Sequence, residues 1–272
     1  METGAFAMFD ALGIRGIWKN PAHDPGDIVL KFVEIEKRVR KLVDSEFGGP
    51  GHPNTQASSN FVKMVRLGFI SDTVVIGFVN KDKQHPIFTI MMAARYAGEV
   101  ARLGLEAPAP WTYRGVITYG QFVMHESGSF FVGPAVDEAA AYYERAEAAL
   151  IWLAPSARAK LARATSSDFQ GAMARGRHDI PLKRKGKLPT TKLRTYVASP
   201  FAYGSSPVDA STVSEAMLST FDLTKRGVAK KHRETKAFLL RLQKDHAKLW
   251  RKNQALGANA AGRTADDPKS PP

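Results

Sequence analysis

Apolar positions along the chain switch between a two-residue and a 3.6-residue period, and the switches mark the elements. Residues 5–18, "AFAMFDALGIRGIW", read as a first strand running into a glycine-containing turn. "PGDIVLKFVEIEKRVRKLVDSEFGG" carries Ile28, Phe32, Ile35, Val39 and Leu42 at helical spacing and ends in glycines. After the loop "GPGHPNTQASSN" comes "RLGFISDTVVIGF", residues 66–78, an apolar β-branched run that reads as a strand covered on both faces. "NKDKQ" leads into a helix of roughly 84–104 that "APAPW" breaks. "TYRGVITYGQFVM" is a strand, and "HESGS" turns it into "FFVGPAV". "DEAAAYYERAEAALIWLAP" reads as an Ala-rich helix closed by Pro155, and "HDIPLKRKGK" with "KLRTYVASPF" as a last strand pair. Strands and helices alternate but hairpins intervene, so the pattern predicts α+β with a mixed or antiparallel sheet.

From about Ser211 to Leu256 the pattern predicts a long basic helix or helix pair, with Leu239, Leu242 and Leu249 on one face. The tail from 257 to 272 is small, polar and Pro-containing, the composition of a disordered segment. Charge sharpens this division. The chain has a formal charge of +13, and from Phe221 onward 13 Lys or Arg stand against 5 Asp or Glu, a net of +8. The rest is only mildly basic, as expected of a domain handling one small phosphorylated molecule at a time. The 272 residues contain no cysteine, which excludes disulfides and thiolate metal sites and suits a reducing cytoplasm. No basic n-region opens the chain and no window approaches 18 apolar residues, so neither a signal peptide nor a membrane span is expected.

Candidate chemistry centres on two aspartates, Asp10 and Asp72, each set into an apolar strand-like run. A buried carboxylate is costly unless it is paired, hydrogen-bonded or metal-bound. One such residue more often serves structure. Two on strands that could be neighbours, without a His or Cys cluster, suit a hard cation such as Mg²⁺ or Mn²⁺ held together with substrate phosphates. The turn after Asp10 could offer backbone N–H groups to a triphosphate. The seven histidines are scattered without a His-Glu-x-x-His pattern, which argues against a zinc hydrolase.

Five segments in chain order resemble the motifs of class III nucleotidyl cyclases. "FDALGIRG" resembles their first metal strand, and "GFISDTVVI" the strand with the second metal aspartate. "RGVITYGQF" resembles their Arg-x-Gly-Ile strand, "FVGPAVDEAAAYYE" the start of the helix that carries a transition-state asparagine, and "IPLKRKGKLPTTKLRTYV" the closing strands. The resemblance implies a ferredoxin-like catalytic domain over residues 1–205, a helical extension over 206–256, and a homodimer with active sites between protomers. It implies two Mn²⁺ or Mg²⁺ ions per site on Asp10, the Ala11 carbonyl and Asp72, with Phe9, Leu12, Gly13, Ile14, Lys183 and Lys185 around the triphosphate. The transition-state asparagine falls on Asp137 and the arginine four residues later on Ala141; Arg145 stands one turn further on, sharing a helix face with both.

The purine-reading lysine of the family falls on Gly68 and its aspartate partner on Pro134, neither of which can hydrogen-bond a base edge. This profile resembles the pyrimidine cyclases of the bacterial Pycsar antiphage system. It implies UTP, ahead of CTP, as substrate, cyclic UMP as product, and a separate effector protein that senses it. The rival reading is nucleic-acid binding through the basic C-terminal helices, with Lys230, Lys231, Arg233, Lys236, Lys244, Lys248, Arg251 and Lys252 facing phosphates. The apolar positions Phe238, Leu239 and Leu242 argue instead for a helix docked on its own domain or on a twin.

Overall fold

The computed structural model describes residues 1–12, 24–47, 65–80, 86–106, 111–125, 127–161, 178–182, 192–201, 227–244 and 247. The order of elements is β1 (Glu2–Leu12), α1 (Pro25–Phe47), β2 (Val65–Ile70), β3 (Thr73–Val79), α2 (Pro86–Leu105), β4 (Thr112–Met124), β5 (Phe131–Val132), α3 (Pro134–Tyr142), β6 (Ile151–Leu153), α4 (Pro155–Lys160), β7 (His178–Pro181) and β8 (Lys192–Thr195). The fold is α+β around a mixed sheet of order β2-β3-β1-β4-β5, antiparallel throughout, with β6 added parallel to β4. β7 and β8 form a separate antiparallel pair, tied to the main sheet by the bridge Trp152↔Val197.

β1 lies at the centre of the sheet, and its period-two pattern makes both faces. Ala5, Ala7, Phe9 and Ala11 enter a core closed by Ile28, Ile35 and Val39 of α1 and Ile90, Tyr96 and Val100 of α2. Phe6 enters a second core, with Met8 packed against it, among Val75, Val116, Phe122, the small residues of α3, Trp152, and Phe238, Leu239 and Leu242 of the helical residues 227–244. The apolar stripe of that C-terminal segment is thus spent on its own sheet. Leu249 and residues 257–272 lie outside the described residues.

Two sequence expectations are corrected. Residues 66–78 form no single strand: Ser71 and Asp72 are a two-residue turn joining β2 to β3, with Ile70 paired to Thr73. Ser71 takes φ 57°, the positive value that primed hairpin turns demand at their first position. Asp72 is therefore half-buried in a turn, not sealed inside a strand. The Ala-rich helix is also much shorter. It starts at Pro134, ends at Tyr142 with Tyr143 as its C-cap, and Ile151–Leu153 is a strand paired to Gly115–Ile117 of β4. An open edge of β4 and the β-favouring Ile-Trp-Leu triplet override helix propensity there. Pro155 consequently opens α4 instead of closing a helix.

Candidate active site

β1 delivers Asp10 to the sheet's second face near its end, and the β2–β3 turn delivers Asp72 beside it. Asp10 pairs across the sheet with Thr73, the residue after Asp72, and the Ala11 N–H donates to the Asp72 carbonyl at 2.9 Å. On the other side Asp10 pairs with Arg114 of β4, whose Nη2 donates to Asp10 Oδ2 at 3.4 Å. The Arg114 side chain is 6% exposed and that of Asp10 is 17% exposed. Arg114 Nη2 also lies 3.7 Å from Glu144 Oε1, beyond the end of α3.

Asp10 Oδ1 is buried and has no hydrogen-bond partner among the described residues. Burial pushes the Asp10 carboxyl above the ordinary carboxylate range; Arg114 opposes this, while the negative charge of Asp72 adds to it. Tyr143 is raised as well, by burial first and then by Glu144 and Asp10. One guanidinium is shared between two carboxylates while a third stands close by, so the cluster is short of positive charge. A divalent cation fits this deficit. The donors are all oxygens, and no group of three or more His, Cys, Asp or Glu able to hold a metal occurs among the described residues. Two carboxylates suit an ion that keeps room for waters and substrate phosphates.

The other sequence candidates are distributed unevenly. Ala11 sits with the aspartates at the end of β1, and Leu12 follows it, half-buried and paired with Thr112. The Phe9 side chain is fully buried on the first face, edge-on to Tyr113 at 5.5 Å, and belongs to the core. Gly13, Ile14, Lys183 and Lys185 lie outside the described residues. Asp137 is exposed in the first turn of α3. That helix begins over Gly120, which is six residues along β4 from Arg114, or about 20 Å at 3.4 Å per residue.

Arg145 is corrected too. It lies past the end of the helix, its guanidinium over the Tyr142 ring at 4.9 Å, so it shares no helix face with Asp137. Pro134 is the exposed first residue of α3. Gly68 is buried under the tip of the β4–β5 hairpin, and a Cβ there would collide with the Gly128 carbonyl oxygen. Gly128 itself takes φ 73° against the Leu67 carbonyl, so the contact is closed from both sides. Arg114, Tyr143 and Glu144 were not singled out from sequence. For Arg114 the signal is its place in "RGVITYGQF", but only the β1–β4 register sets it opposite Asp10.

No family model and no curated relative matches the chain. Solved structures do. The chain is similar to the catalytic core of a rhodopsin-guanylyl cyclase with converted specificity in complex with ATPαS, at 13% identity over 73% of this chain and 95% of that one, TM-score 0.47. It is similar to the adenylyl cyclase CyaB from P. aeruginosa, at 13% identity over 75% of this chain and 98% of that one, TM-score 0.47. It is also similar to the guanylate cyclase domain of RhGC from Catenaria anguillulae in complex with GTP, at 13% identity over 73% and 96%, TM-score 0.45. Likeness at this level says nothing about substrate. No helix among the described residues is long and apolar enough to cross a membrane.

Proposed function

We propose that the chain is a nucleotidyl cyclase of class III type that converts UTP to 3′,5′-cyclic UMP and pyrophosphate. The observation that carries the reading is the pair Asp10 and Asp72, brought together at one end of the sheet with Asp10 Oδ1 buried and without a partner among the described residues. Asp10, Asp72 and the Ala11 carbonyl would hold two Mn²⁺ or Mg²⁺ ions. When bound, these supply Lewis-acid activation of the ribose 3′-hydroxyl and neutralise charge developing on the leaving pyrophosphate. Arg114 keeps the Asp10 carboxylate in place by occupying Oδ2, while Oδ1 has no partner among the described residues.

Asp137 completes the site from a second copy of the chain. The start of its helix over Gly120, far along β4 from Asp10, supports a homodimeric site over one built within a single protomer. Gly68 and Pro134 support pyrimidine use. Neither reads a purine edge, and the hairpin tip over Gly68 leaves no room there for a longer side chain. The preference for uracil over cytosine, and a product read by a separate effector in antiphage defence, rest on the resemblance to the Pycsar cyclases. The domain division at residues 205 and 256 belongs to the same reading.

The test is product identification by mass after incubation with Mn²⁺ and equal concentrations of all four nucleoside triphosphates. Cyclic UMP is expected to dominate. Cyclic AMP or cyclic GMP as main product would overturn the pyrimidine reading, and no cyclic product from any substrate would overturn the cyclase reading. Mixing Asp72→Ala with Asp137→Ala protomers should restore part of the activity that each lacks alone.

A further inference from the structure

Residues 227–244 turn one side to the sheet and the other to solvent. His232, Thr235, Phe238, Leu239 and Leu242 are buried, and Thr235 Oγ1 accepts a hydrogen bond from the Ala149 N–H at 2.9 Å. At 3.6 residues per turn the opposite side carries Lys230, Arg233, Glu234, Ala237, Leu240, Arg241 and Lys244, all exposed. Four of these seven are cations, and Glu234 is the one acid among them. Lys230 comes no closer than 4.0 Å to Glu147. The stripe from Lys230 to Lys244 is about 21 Å long at 1.5 Å per residue.

The docking that settles the apolar side therefore also aims the basic side outward on a rigid element. We propose that this outer face binds the phosphate backbone of duplex nucleic acid, a surface additional to the cyclase site and independent of that reading. The sequence adds Lys225 and Arg226 before residue 227 and Lys248, Arg251 and Lys252 after residue 244, against Asp222 and Asp245. Polyanion binding by such a stripe draws on counterion release and needs no base contacts. Among the described residues the exposed face carries no aromatic side chain on which unpaired bases could stack, which argues against single strands. Its one sizeable apolar group is Leu240, 40% exposed, too little to anchor the helix in a lipid surface.

The experiment is fluorescence anisotropy of the full chain with labelled duplex DNA and duplex RNA of about two helical turns, titrated between roughly 50 and 200 mM salt. Arg233→Glu/Arg241→Glu is compared with Lys37→Glu/Lys41→Glu, a matched charge change on exposed positions of α1. Duplex binding should weaken with salt with a log–log slope of about −3 to −4, as four phosphate contacts require. The first variant should lose at least about tenfold in affinity and about two units of slope, and the second less than about twofold. Circular dichroism verifies that both fold. Absence of duplex binding, equal losses in the two variants, or tighter binding to a single strand or to phosphatidylserine vesicles would each overturn the proposal.

Discussion

The two faces of the central sheet are built from the same strands and differ in kind. The first, against α1 and α2, is an apolar core built on Ala5, Ala7, Phe9 and Ala11 of β1. At its rim Lys31 of α1 donates to the carbonyls of Gly104 and Glu106 at 3.1 and 2.6 Å and lies over the Trp111 ring at 4.2 Å. The second face starts as apolar around Phe6 and ends at Asp10, Arg114 and the Asp72 turn. One residue type at an alternate strand position therefore separates an apolar packing surface from one that ends in a charged cluster. The difference predicts that changes on the two faces fail in different assays.

The largest effect should fall on the second face. On the proposed cyclase reading, Asp10→Ala or Asp72→Ala should lower turnover about a thousandfold or more, since the proposed metal site would lose a contribution of several kcal/mol. Thermal unfolding should be little changed in Asp72→Ala and somewhat lowered in Asp10→Ala, because the buried Arg114 guanidinium loses its nearer carboxylate partner. Full activity of either variant with saturating Mn²⁺ would erase the functional distinction between the faces.

Phe78→Ala is the counterpart on the first face. Phe78 is fully buried, with its ring 5.5 Å from that of Tyr96. Urea unfolding should show a loss of about 3–5 kcal/mol, with activity per folded molecule retained. Equal losses of stability and specific activity would mean that the core and the site are not separable.

Gly68→Ala tests the hairpin contact on the second face. The added methyl meets the Gly128 carbonyl, a backbone group with little room to retreat, so about 1–3 kcal/mol of destabilisation is expected. A variant as stable as wild type would show that the hairpin tip yields freely.

The smallest effect is a pH dependence at the rim of the first face. Burial lowers the Lys31 ammonium from 10.5 to about 8, against the attraction of Glu106 and Glu34. Between those values the unfolded chain binds the extra proton, so the Lys31 contribution to stability rises as pH increases from about 8 to 10.5. Partial exposure of the group screens the effect to about 1–2 kcal/mol. The stability difference between wild type and Lys31→Met, followed by urea titration, should change over that window and be flat below it. A constant difference up to pH 10.5 would remove the link to Lys31.

Much of this molecule was legible in its residues. Alternation in "FAMFDAL", the helical spacing of Ile28, Ile35 and Val39, and the strand "TYRGVITYGQFVM" all rest on local periodicity, which one-dimensional reading captures. The amphipathic docking of Phe238, Leu239 and Leu242 was readable for the same reason. Asp10 and Asp72 stood out because a carboxylate in an apolar run contradicts its surroundings.

Tertiary structure decided what depends on partners distant in sequence. The turn at Ser71 and Asp72 contains neither Gly nor Asn, so its positive φ is imposed by the pairing of Ile70 with Thr73 and leaves no mark in the local pattern. Ile151–Leu153 became a strand because β4 offered it an open edge, a property of the sheet and not of the Ala-rich segment. Arg114 meets Asp10 only through an antiparallel register between residues 104 positions apart. The sequence by itself determined which residues carry charge into an apolar sheet. Which of them face one another was set by strand register, because a ladder of backbone hydrogen bonds can be shifted by one residue without changing any local propensity, yet every side chain then changes face.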